Sequence, residues 1–347
     1  MVGVKAAELT SEERLILNEA AFGGFILFKH NLIDPEQIVA LCRSLWDLEA
    51  EHPPFIAIDE EGGRVHRLPA PFSHAPAAAV MASVAQPQLG YQIARATATE
   101  LGMVGINLNF APVLDVNSNP QNPIIGDRSF GRNPQQVIRW GEQIIVGFRD
   151  AGIIPCAKHF PGHGDTHQDS HSVLPVVDRS LAELHARELP PFAHACRKTV
   201  EALMTAHVLY PALDPRWPAT LSQTIVSGLL RQELGFEGVV FSDDLEMKAI
   251  SDNYGDREAA GFCARAGVDV LLYGRELGKA RSALDFLASE AARDTGLRRQ
   301  VENSYRRIVN LKGRFLRTFT GITDELVRPR LLRLNHRRLV DAIYRNR

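Results

Sequence analysis

Chemically reactive side chains concentrate in one stretch of the sequence, residues Ala157 to Pro175. This stretch contains one lysine, four histidines and two aspartates, with Pro161 and two glycines interrupting any regular structure. The preceding apolar run, residues 153–157, is typical of a buried parallel strand. We therefore expect the polar side chains to begin where a strand ends, which is where α/β folds place their chemistry.

Asp169 and His171 are the first candidates for catalysis in this stretch. A carboxylate two residues before a histidine can accept the N–H of the imidazole, which fixes the ring tautomer and raises its basicity. Such a histidine can donate and recover a proton near neutral pH. The pair predicts a general acid/base, His171, with Asp169 as its dyad partner.

A second candidate is the Ser242-Asp243-Asp244 sequence, which ends a different predicted strand. A carboxylate rooted at the carboxyl end of a strand can be aimed as a nucleophile. We assign that role to Asp243, and to Asp244 a structural role at the start of the following segment.

Charged residues flank several other predicted strand ends. Cations and a carboxylate around a pocket with few aromatic side chains suit a ligand rich in hydroxyl and amide groups, because charge-assisted hydrogen bonds orient such a ligand. The residues with this placement are Asp59, Arg67, Arg128 and Lys158.

The four histidines recur at intervals of four residues, a spacing that would form a metal-binding face on a continuous helix. Pro161, Gly162 and Gly164 exclude such a helix, so the spacing loses its force and we expect no metal site and no cofactor. Two other function classes stay open at this point: a metal-dependent hydrolase, which chelators would inactivate, and a non-catalytic sugar-binding module, which Asp243→Ala would leave intact.

Elements that could position these residues alternate along the chain. Short apolar runs alternate with amphipathic helical patterns, which is typical of parallel βα units. Polar clusters follow several successive strands, which favours a TIM-like (β/α)8 barrel, irregular because no convincing eighth strand follows Gly274. A doubly wound open sheet is the alternative. The seven predicted strands are residues 23–28, 54–58, 106–111, 153–157, 202–206, 238–241 and 268–273, and the predicted helices include 10–20, 35–48, 87–101, 134–151, 180–198, 222–234 and 256–266.

Composition narrows the function classes further. The chain has 347 residues, 45% of them hydrophobic, and a formal net charge of -2, so a nucleic-acid partner is not expected. Four scattered cysteines without a CxxC pair indicate buried free thiols in a reducing compartment. The N-terminus lacks the apolar region of a signal peptide and no run of eighteen apolar residues occurs, which predicts a cytoplasmic protein with no membrane partner. We expect one catalytic domain, residues 1–347, with a core at about 3–320 and an arginine-rich helical extension at about 321–347.

Six motifs of this chain, taken together, resemble glycoside hydrolase family 3, and more narrowly its single-domain, NagZ-type β-N-acetylglucosaminidase branch. The likeness extends from about residue 3 to 320. Lys-His-Phe-Pro-Gly-His-Gly and Asp-Ser-His are its most specific elements. Glu60 departs from the family pattern, since many relatives carry glutamine there, and His167 lies where the branch varies. The matching segments are residues 58–65, 109–116, 128–131, 158–166, 169–171 and 241–245.

The resemblance implies a TIM-like barrel and a role for each matched residue. Asp243 corresponds to the catalytic nucleophile, His171 to the general acid/base and Asp169 to its dyad partner. Five positions match residues that bind the terminal N-acetylglucosamine, namely Asp59, Arg67, Arg128, Lys158 and His159.

The implied activity is a retaining exo-β-N-acetylglucosaminidase. Its implied substrate is N-acetylglucosaminyl-1,6-anhydro-N-acetylmuramic acid, with or without peptide, in cytoplasmic recycling of the bacterial cell wall, and we expect a monomer. Because a histidine acid repels an incoming anion less than a second carboxylate would, phosphate could replace water. An N-acetylglucosaminide phosphorylase, or a family 3 glycosidase for another sugar, is therefore the alternative.

Overall fold

Eight short parallel strands lie side by side in chain order in the computed structural model, which describes residues 1–84, 86–167, 173–334 and 336–345. The last strand pairs back onto the first, because Gly3 N–H donates to the carbonyl of Tyr273 at 2.9 Å and Tyr273 N–H donates to that of Met1 at 3.0 Å. This closure confirms the predicted barrel and excludes the open doubly wound sheet. The strands are β1 (Val2–Gly3), β2 (Gly24–Leu27), β3 (Phe55–Ile58), β4 (Leu108–Asn109), β5 (Ile154–Phe160), β6 (Ala202–Thr205), β7 (Val239–Asp244) and β8 (Val270–Leu272).

The strand that the sequence pattern did not reveal is β1, at the N-terminus, and not a segment after Gly274. Residues 23–28, predicted as the first barrel strand, contain β2, and β1 pairs with β2 through Val2 and Phe25. A two-residue strand shows no alternation of polar and apolar side chains, so its strand character is visible only when the barrel closes.

Helices follow most strands and form the outer layer. Where a cap is present, it matches the sequence signal: the Thr10 side chain and Glu13 form a capping box, and Asp34 caps the helix that Pro35 opens. The α-helices are α1 (Ser11–Ala20), α2 (Pro35–Trp46), α3 (Ala78–Ala82), α4 (Gln88–Met103), α5 (Pro134–Asp150), α6 (Leu181–Ala186), α7 (Leu189–Arg197), α8 (Lys248–Ser251), α9 (Asp256–Ala266), α10 (Leu277–Arg293), α11 (Thr295–Phe315), α12 (Asp324–Leu334) and α13 (Arg337–Arg345).

Two predicted helices differ from the structure. The continuous helix expected over residues 180–198 is divided into α6 and α7 at Arg187 and Glu188. Pro190 and Pro191 are the second and third residues of α7. Because proline removes a backbone donor and restricts the residue before it, a new helix begins there more readily than the old one continues. The segment expected as an α-helix over 222–234 is a π-helix, Thr224–Glu233.

The arginine-rich C-terminal segment forms α12 and α13. Val327 and Leu331 of α12 and Ile343 of α13 are buried against the domain, and Arg328 pairs with Glu36 of α2 at 2.7 Å. Among the described residues, none of the helices combines the length and the hydrophobicity that a bilayer-spanning helix needs.

The barrel interior is a separate apolar core with three aromatic rings at its centre. The Phe241 ring meets the edges of Phe55 and Phe110, with centroids 5.9 and 5.6 Å apart. Leu311 and Leu316 belong to the same interior cluster. Because side chains alternate along a strand, residues two positions beyond an interior side chain point into the mouth of the barrel at the carboxyl ends of the strands.

Candidate active site

Three of the predicted site residues share one layer at the mouth of the barrel. Asp59 directly follows β3, Lys158 lies on β5 and Asp243 lies on β7. Each stands two positions after a buried side chain of the barrel interior. The interior residues beneath them are Ala57, Cys156 and Phe241. The strands therefore aim all three side chains at one pocket.

Lys158 joins two carboxylates at this mouth. Its ammonium nitrogen lies 2.5 Å from Asp59 Oδ1 and 2.7 Å from Glu61 Oε1, while the lysine side chain is only 3% exposed. Burial on its own would lower the pKa of Lys158, but Asp59 and Glu61 outweigh it and raise the pKa. Lys158 is therefore a fixed positive charge in the site.

Arg128 completes this charged group, which we call the ion-pair cluster: Asp59, Glu61, Arg128 and Lys158. The guanidinium binds Glu61 through two hydrogen bonds, Nε to Oε2 and Nη2 to Oε1, both 2.8 Å. Burial would raise the pKa of Glu61, but the charges of Arg128 and Lys158 hold it well below its usual range. Two cations thus share Glu61, and Asp59, whose side chain is 19% exposed, borders the open pocket.

The orientation of His159 is fixed by hydrogen bonds to Asp115, a fully buried aspartate. The imidazole Nδ1–H donates to Asp115 Oδ2 at 2.7 Å, and the backbone N–H groups of His159 and His163 donate to Oδ1 at 3.2 and 2.6 Å. Burial opposes ionisation of Asp115, yet the neighbouring His159 lowers the pKa of this carboxyl. The carboxylate fixes Nδ1 as a donor and leaves Nε2 for a ligand.

Asp243 lies on β7, across the barrel mouth from the ion-pair cluster, and its carboxylate has few hydrogen-bond partners. Within the described residues, the one hydrogen bond to its carboxylate comes from Asp244 N–H, which donates to Oδ1 at 2.8 Å. Burial alone would raise the pKa of Asp243, but the facing His207 and His159 imidazoles and this N–H lower it. The carboxylate is therefore ionised at neutral pH and has lone pairs available for attack on a ligand.

Asp244 has the structural role that the sequence suggested. Its Oδ1 accepts the backbone N–H groups of Glu246 at 3.0 Å and Gly274 at 3.1 Å, which ties β7 to the end of β8. A Cβ at position 274 would lie 2.6 Å from Asp244 Oδ2, so only glycine allows this approach. Burial raises the pKa of Asp244 to about 6.

His207 was not among the predicted site residues. Its ring is buried directly after β6, where Nε2–H donates to the carbonyl of Asp244 at 3.0 Å and Nδ1 lies 2.8 Å from Thr220 Oγ1. Burial lowers the pKa of His207, so the ring is neutral at pH 7. The signal that could have identified it is its place immediately after a predicted strand.

Glu61 and Asp115 were also missed as functional residues, although both belong to quoted motifs. A carboxylate that matters because two cations share it is recognisable only when the partners are in place, and they come from distant parts of the chain. Arg67 lies in the loop after β3, and its buried Nε has no protein hydrogen-bond partner within the described residues. That nitrogen is a donor available to a ligand.

The predicted dyad, Asp169 and His171, lies outside the described residues. The two flanks of that stretch are linked to each other, because Arg179 forms an ion pair with Asp165. Asn119 Nδ2–H donates to the carbonyl of Thr166 at 3.0 Å, and Val177 N–H donates to that of Leu209 at 2.9 Å. Gly164 is required on the first flank, since a Cβ there would lie 1.7 Å from the carbonyl oxygen of Val116.

The other histidines of this stretch serve local structure. His163 Nδ1 lies 2.9 Å from Thr166 Oγ1, and burial lowers the pKa of His163 to about 4. Asn119 Nδ2–H donates to His167 Nδ1 at 3.1 Å. In the part of the chain that the structure describes, no group of three or more histidine, cysteine or acidic side chains has a geometry suited to a metal ion.

Comparison with protein families places the chain among sugar hydrolases. Residues 1–311 match the glycosyl hydrolase family 3 N terminal domain. Over 280 residues, the chain is 41% identical to a beta-hexosaminidase of Neisseria meningitidis serogroup C, a match that covers 78% of this chain and 76% of that protein.

Solved structures show the same architecture. A glycoside hydrolase family 3 beta-N-acetylglucosaminidase from Paenibacillus sp. str. FPU-7 superposes with a TM-score of 0.90 at 38% identity, and the alignment covers 100% of this chain. The chain spans 66% of the length of that protein. NagZ from Neisseria gonorrhoeae, solved in complex with N-trifluoroacetyl-D-glucosamine, superposes with a TM-score of 0.77 at 33% identity, covering 96% of this chain and 97% of that one.

Proposed function

The chain belongs to glycosyl hydrolase family 3 and is a glycoside hydrolase of the beta-hexosaminidase type, and from that premise we propose that it removes terminal β-linked N-acetylglucosamine by a retaining mechanism. The observation that carries the proposal is the shared layer at the barrel mouth. There an ionised and sparsely bonded carboxylate, Asp243, shares the layer with the Lys158–Asp59 pair, and the charge of Lys158 helps to lower the pKa of Asp243. A nucleophile and hydroxyl-binding charges on the same rigid strands are what glycosyl transfer to a carboxylate needs.

In the first step, a carboxylate oxygen of Asp243 attacks the anomeric carbon of the bound sugar. The bond from that carbon to the aglycone oxygen breaks, and its electron pair goes to the leaving oxygen, which takes a proton from the His171 imidazolium. Asp169 orients His171. The products of the step are the free aglycone and a covalent glycosyl-enzyme, which forms through an oxocarbenium-like transition state.

In the second step, neutral His171 removes a proton from water while the water oxygen attacks the anomeric carbon and displaces Asp243. Two inversions give N-acetylglucosamine with retained β configuration. Lys158 donates hydrogen bonds to the sugar, while the Asp59 carboxylate and His159 Nε2 accept them from sugar hydroxyl groups. Arg67 and Arg128 are the remaining binding residues of the proposal. No cofactor takes part.

The proposed natural substrates are N-acetylglucosaminyl-1,6-anhydro-N-acetylmuramic acid fragments, with or without peptide, released during bacterial cell-wall turnover and recycled in the cytoplasm. What supports this is the likeness to NagZ, together with a match that spans nearly the whole of both chains. The proposal treats residues 1–347 as one catalytic domain, in which α12 and α13 form an extension on the outside of the barrel.

The test is turnover of p-nitrophenyl N-acetyl-β-glucosaminide beside the matching β-glucoside, with proton NMR of the sugar released first. We expect selective release of β-N-acetylglucosamine, unaffected by EDTA and by the presence of phosphate. Initial release of the α anomer would contradict the retaining mechanism. Strict dependence on phosphate, with the sugar 1-phosphate as product, would identify the enzyme as a phosphorylase instead.

A further inference from the structure

Glu60 is the second residue after β3 and is attached to the barrel by its backbone. Its N–H donates to Asn109 Oδ1 and its carbonyl accepts from Asn109 Nδ2, both at 2.9 Å. Asn109 is fully buried on β4. The backbone of Glu60 is therefore fixed relative to two strands whose carboxyl ends border the site.

The side chain of Glu60 binds the chain segment that carries Arg67. The carboxyl group is buried, and its Oε2 accepts the backbone N–H groups of Arg67 at 2.9 Å and of Leu68 at 3.4 Å. Its Oε1 lies 2.6 Å from His66 Nδ1. Three consecutive residues of the loop are thus bound to one carboxylate.

A second contact supports the same segment from outside. The His66 ring stacks on His74, with centroids 4.0 Å apart and planes 7° apart, and a ring nitrogen of His74 donates to the carbonyl of Gly63 at 2.7 Å. The His66 imidazole is thereby held between Glu60 and a ring from the far end of the same loop.

We propose that Glu60 is the positioning residue for Arg67: it transmits the rigid placement of β3 and β4 to the guanidinium that binds the sugar. This inference rests on the proposed function, which places Arg67 in the sugar site. Arg67 Nε is buried with no hydrogen-bond acceptor among the described protein residues. No hydrogen bond to Nε from that part of the chain orients the side chain, so its direction depends on the backbone that Glu60 binds at residues 66–68. Glu60 itself makes no contact with the sugar.

The test is a double-mutant cycle of Glu60→Ala and Arg67→Ala, with KM and kcat measured on p-nitrophenyl N-acetyl-β-glucosaminide. We expect Glu60→Ala to lower kcat/KM about 100-fold, mostly through KM, because misplacing a binding group by about 1 Å has effects of that size. In the Arg67→Ala background the same change should cost less than about 3-fold, since residues that act through one another are not additive. Glu60→Gln keeps an acceptor for both N–H groups and should restore kcat/KM to within about 5-fold of the wild type.

Glu100 of α4 offers a matched control, because its carboxylate binds Ser73 in the same connection between β3 and α4. It is buried to the same degree and accepts the backbone N–H of Ser73 at 2.8 Å, the Ser73 hydroxyl at 2.7 Å and His336 Nδ1 at 2.9 Å. Glu100→Ala should destabilise the fold as Glu60→Ala does while leaving KM within about 3-fold.

Two results separate this inference from the proposed function. An active wild type in which Glu60→Ala costs as much with Arg67→Ala as without it, or in which Glu100→Ala raises KM equally, would overturn the inference alone. A folded wild type without N-acetylglucosaminidase activity would overturn the proposed function, and the inference with it.

Discussion

Two sides of the barrel mouth hold their charged groups in different ways. On the side of β3 to β5, every charged side chain of the ion-pair cluster has an oppositely charged partner within the cluster. Glu61 alone makes three contacts at 2.7 to 2.8 Å. On the side of β7, the Asp243 carboxylate has a single hydrogen bond from within the described residues. Both sides are rooted in strands of the same sheet.

The difference reflects two chemical tasks. A group that binds a sugar hydroxyl must keep one direction, so mutual ion pairs that restrict its motion serve it well. A nucleophile must form a bond with carbon, and each hydrogen bond to its oxygens would reduce its reactivity. The comparison predicts that substitution of Asp243 removes activity without much loss of stability, whereas substitutions in the cluster affect both.

Asp243→Ala gives the largest expected effect on activity. Loss of the nucleophile should lower kcat about 10⁵-fold, as removal of catalytic nucleophiles does elsewhere. The free energy of unfolding should change by less than about 1 kcal/mol, because the carboxylate makes few contacts. Steady-state kinetics and urea denaturation measure the two quantities on the same preparation. More than about one per cent residual kcat would show that another group attacks the sugar.

Glu61→Gln tests the opposite side of the comparison. Removing this charge leaves Arg128 without its buried partner and weakens the hold on Lys158, so the free energy of unfolding should fall by about 3 kcal/mol. The pKa of Glu61 is held well below its usual range, so this contribution is complete above the ordinary carboxyl pKa and is lost only as the pH falls toward the depressed value. We expect kcat/KM to fall about 1000-fold through misplaced cations.

Urea denaturation at pH 7 and at pH 3 checks this assignment. The gap between wild type and Glu61→Gln should be full at pH 7 and smaller, but still present, at pH 3, because the unfolded chain already binds the Glu61 proton there while the folded chain does not. A gap absent at pH 7 would mean that the cluster contributes nothing to folding, and the contrast with Asp243 would disappear.

Asp115→Asn sharpens the comparison by changing one proton. The amide NH₂ would face His159 Nδ1, which must then accept instead of donate, so that Nε2 carries the proton and no longer offers a lone pair to the sugar. A wrong tautomer of this kind should lower kcat/KM about 100-fold. Ser129→Ala removes a hydroxyl that donates to the backbone carbonyl of Asp115 at 2.6 Å, and it serves as the control with a smaller effect. Equal kinetics for Asp115→Asn and wild type would exclude control of the tautomer.

The sequence was informative about residues at strand ends and uninformative about their partners. The predicted strands placed Asp59, Lys158 and Asp243 at strand ends, and in the structure each of them follows an interior side chain by two positions. Glu61 is separated from Arg128 by 67 positions along the chain, so no local pattern indicates that pair. The two-residue β1 was missed for the same reason: its identity depends on hydrogen bonds to β8.

Asp244→Asn has the smallest expected effect on activity, within about 10-fold, and tests whether the two neighbouring aspartates of β7 differ as the comparison requires. Burial raises the pKa of Asp244 to about 6, so the folded state binds this proton more tightly than the unfolded state does. Stability is therefore full below the unfolded pKa and is lost as the pH rises to about 6, by about 3 kcal/mol. The asparagine keeps an oxygen for the N–H groups of Glu246 and Gly274 but cannot ionise.

The free energy of unfolding of Asp244→Asn relative to the wild type should rise between pH 4 and pH 7, as measured by urea denaturation, while kcat on the N-acetylglucosaminide stays near that of the wild type. A constant difference across that range would mean that Asp244 ionises as easily as Asp243, and that burial does not separate the structural aspartate from the nucleophile beside it.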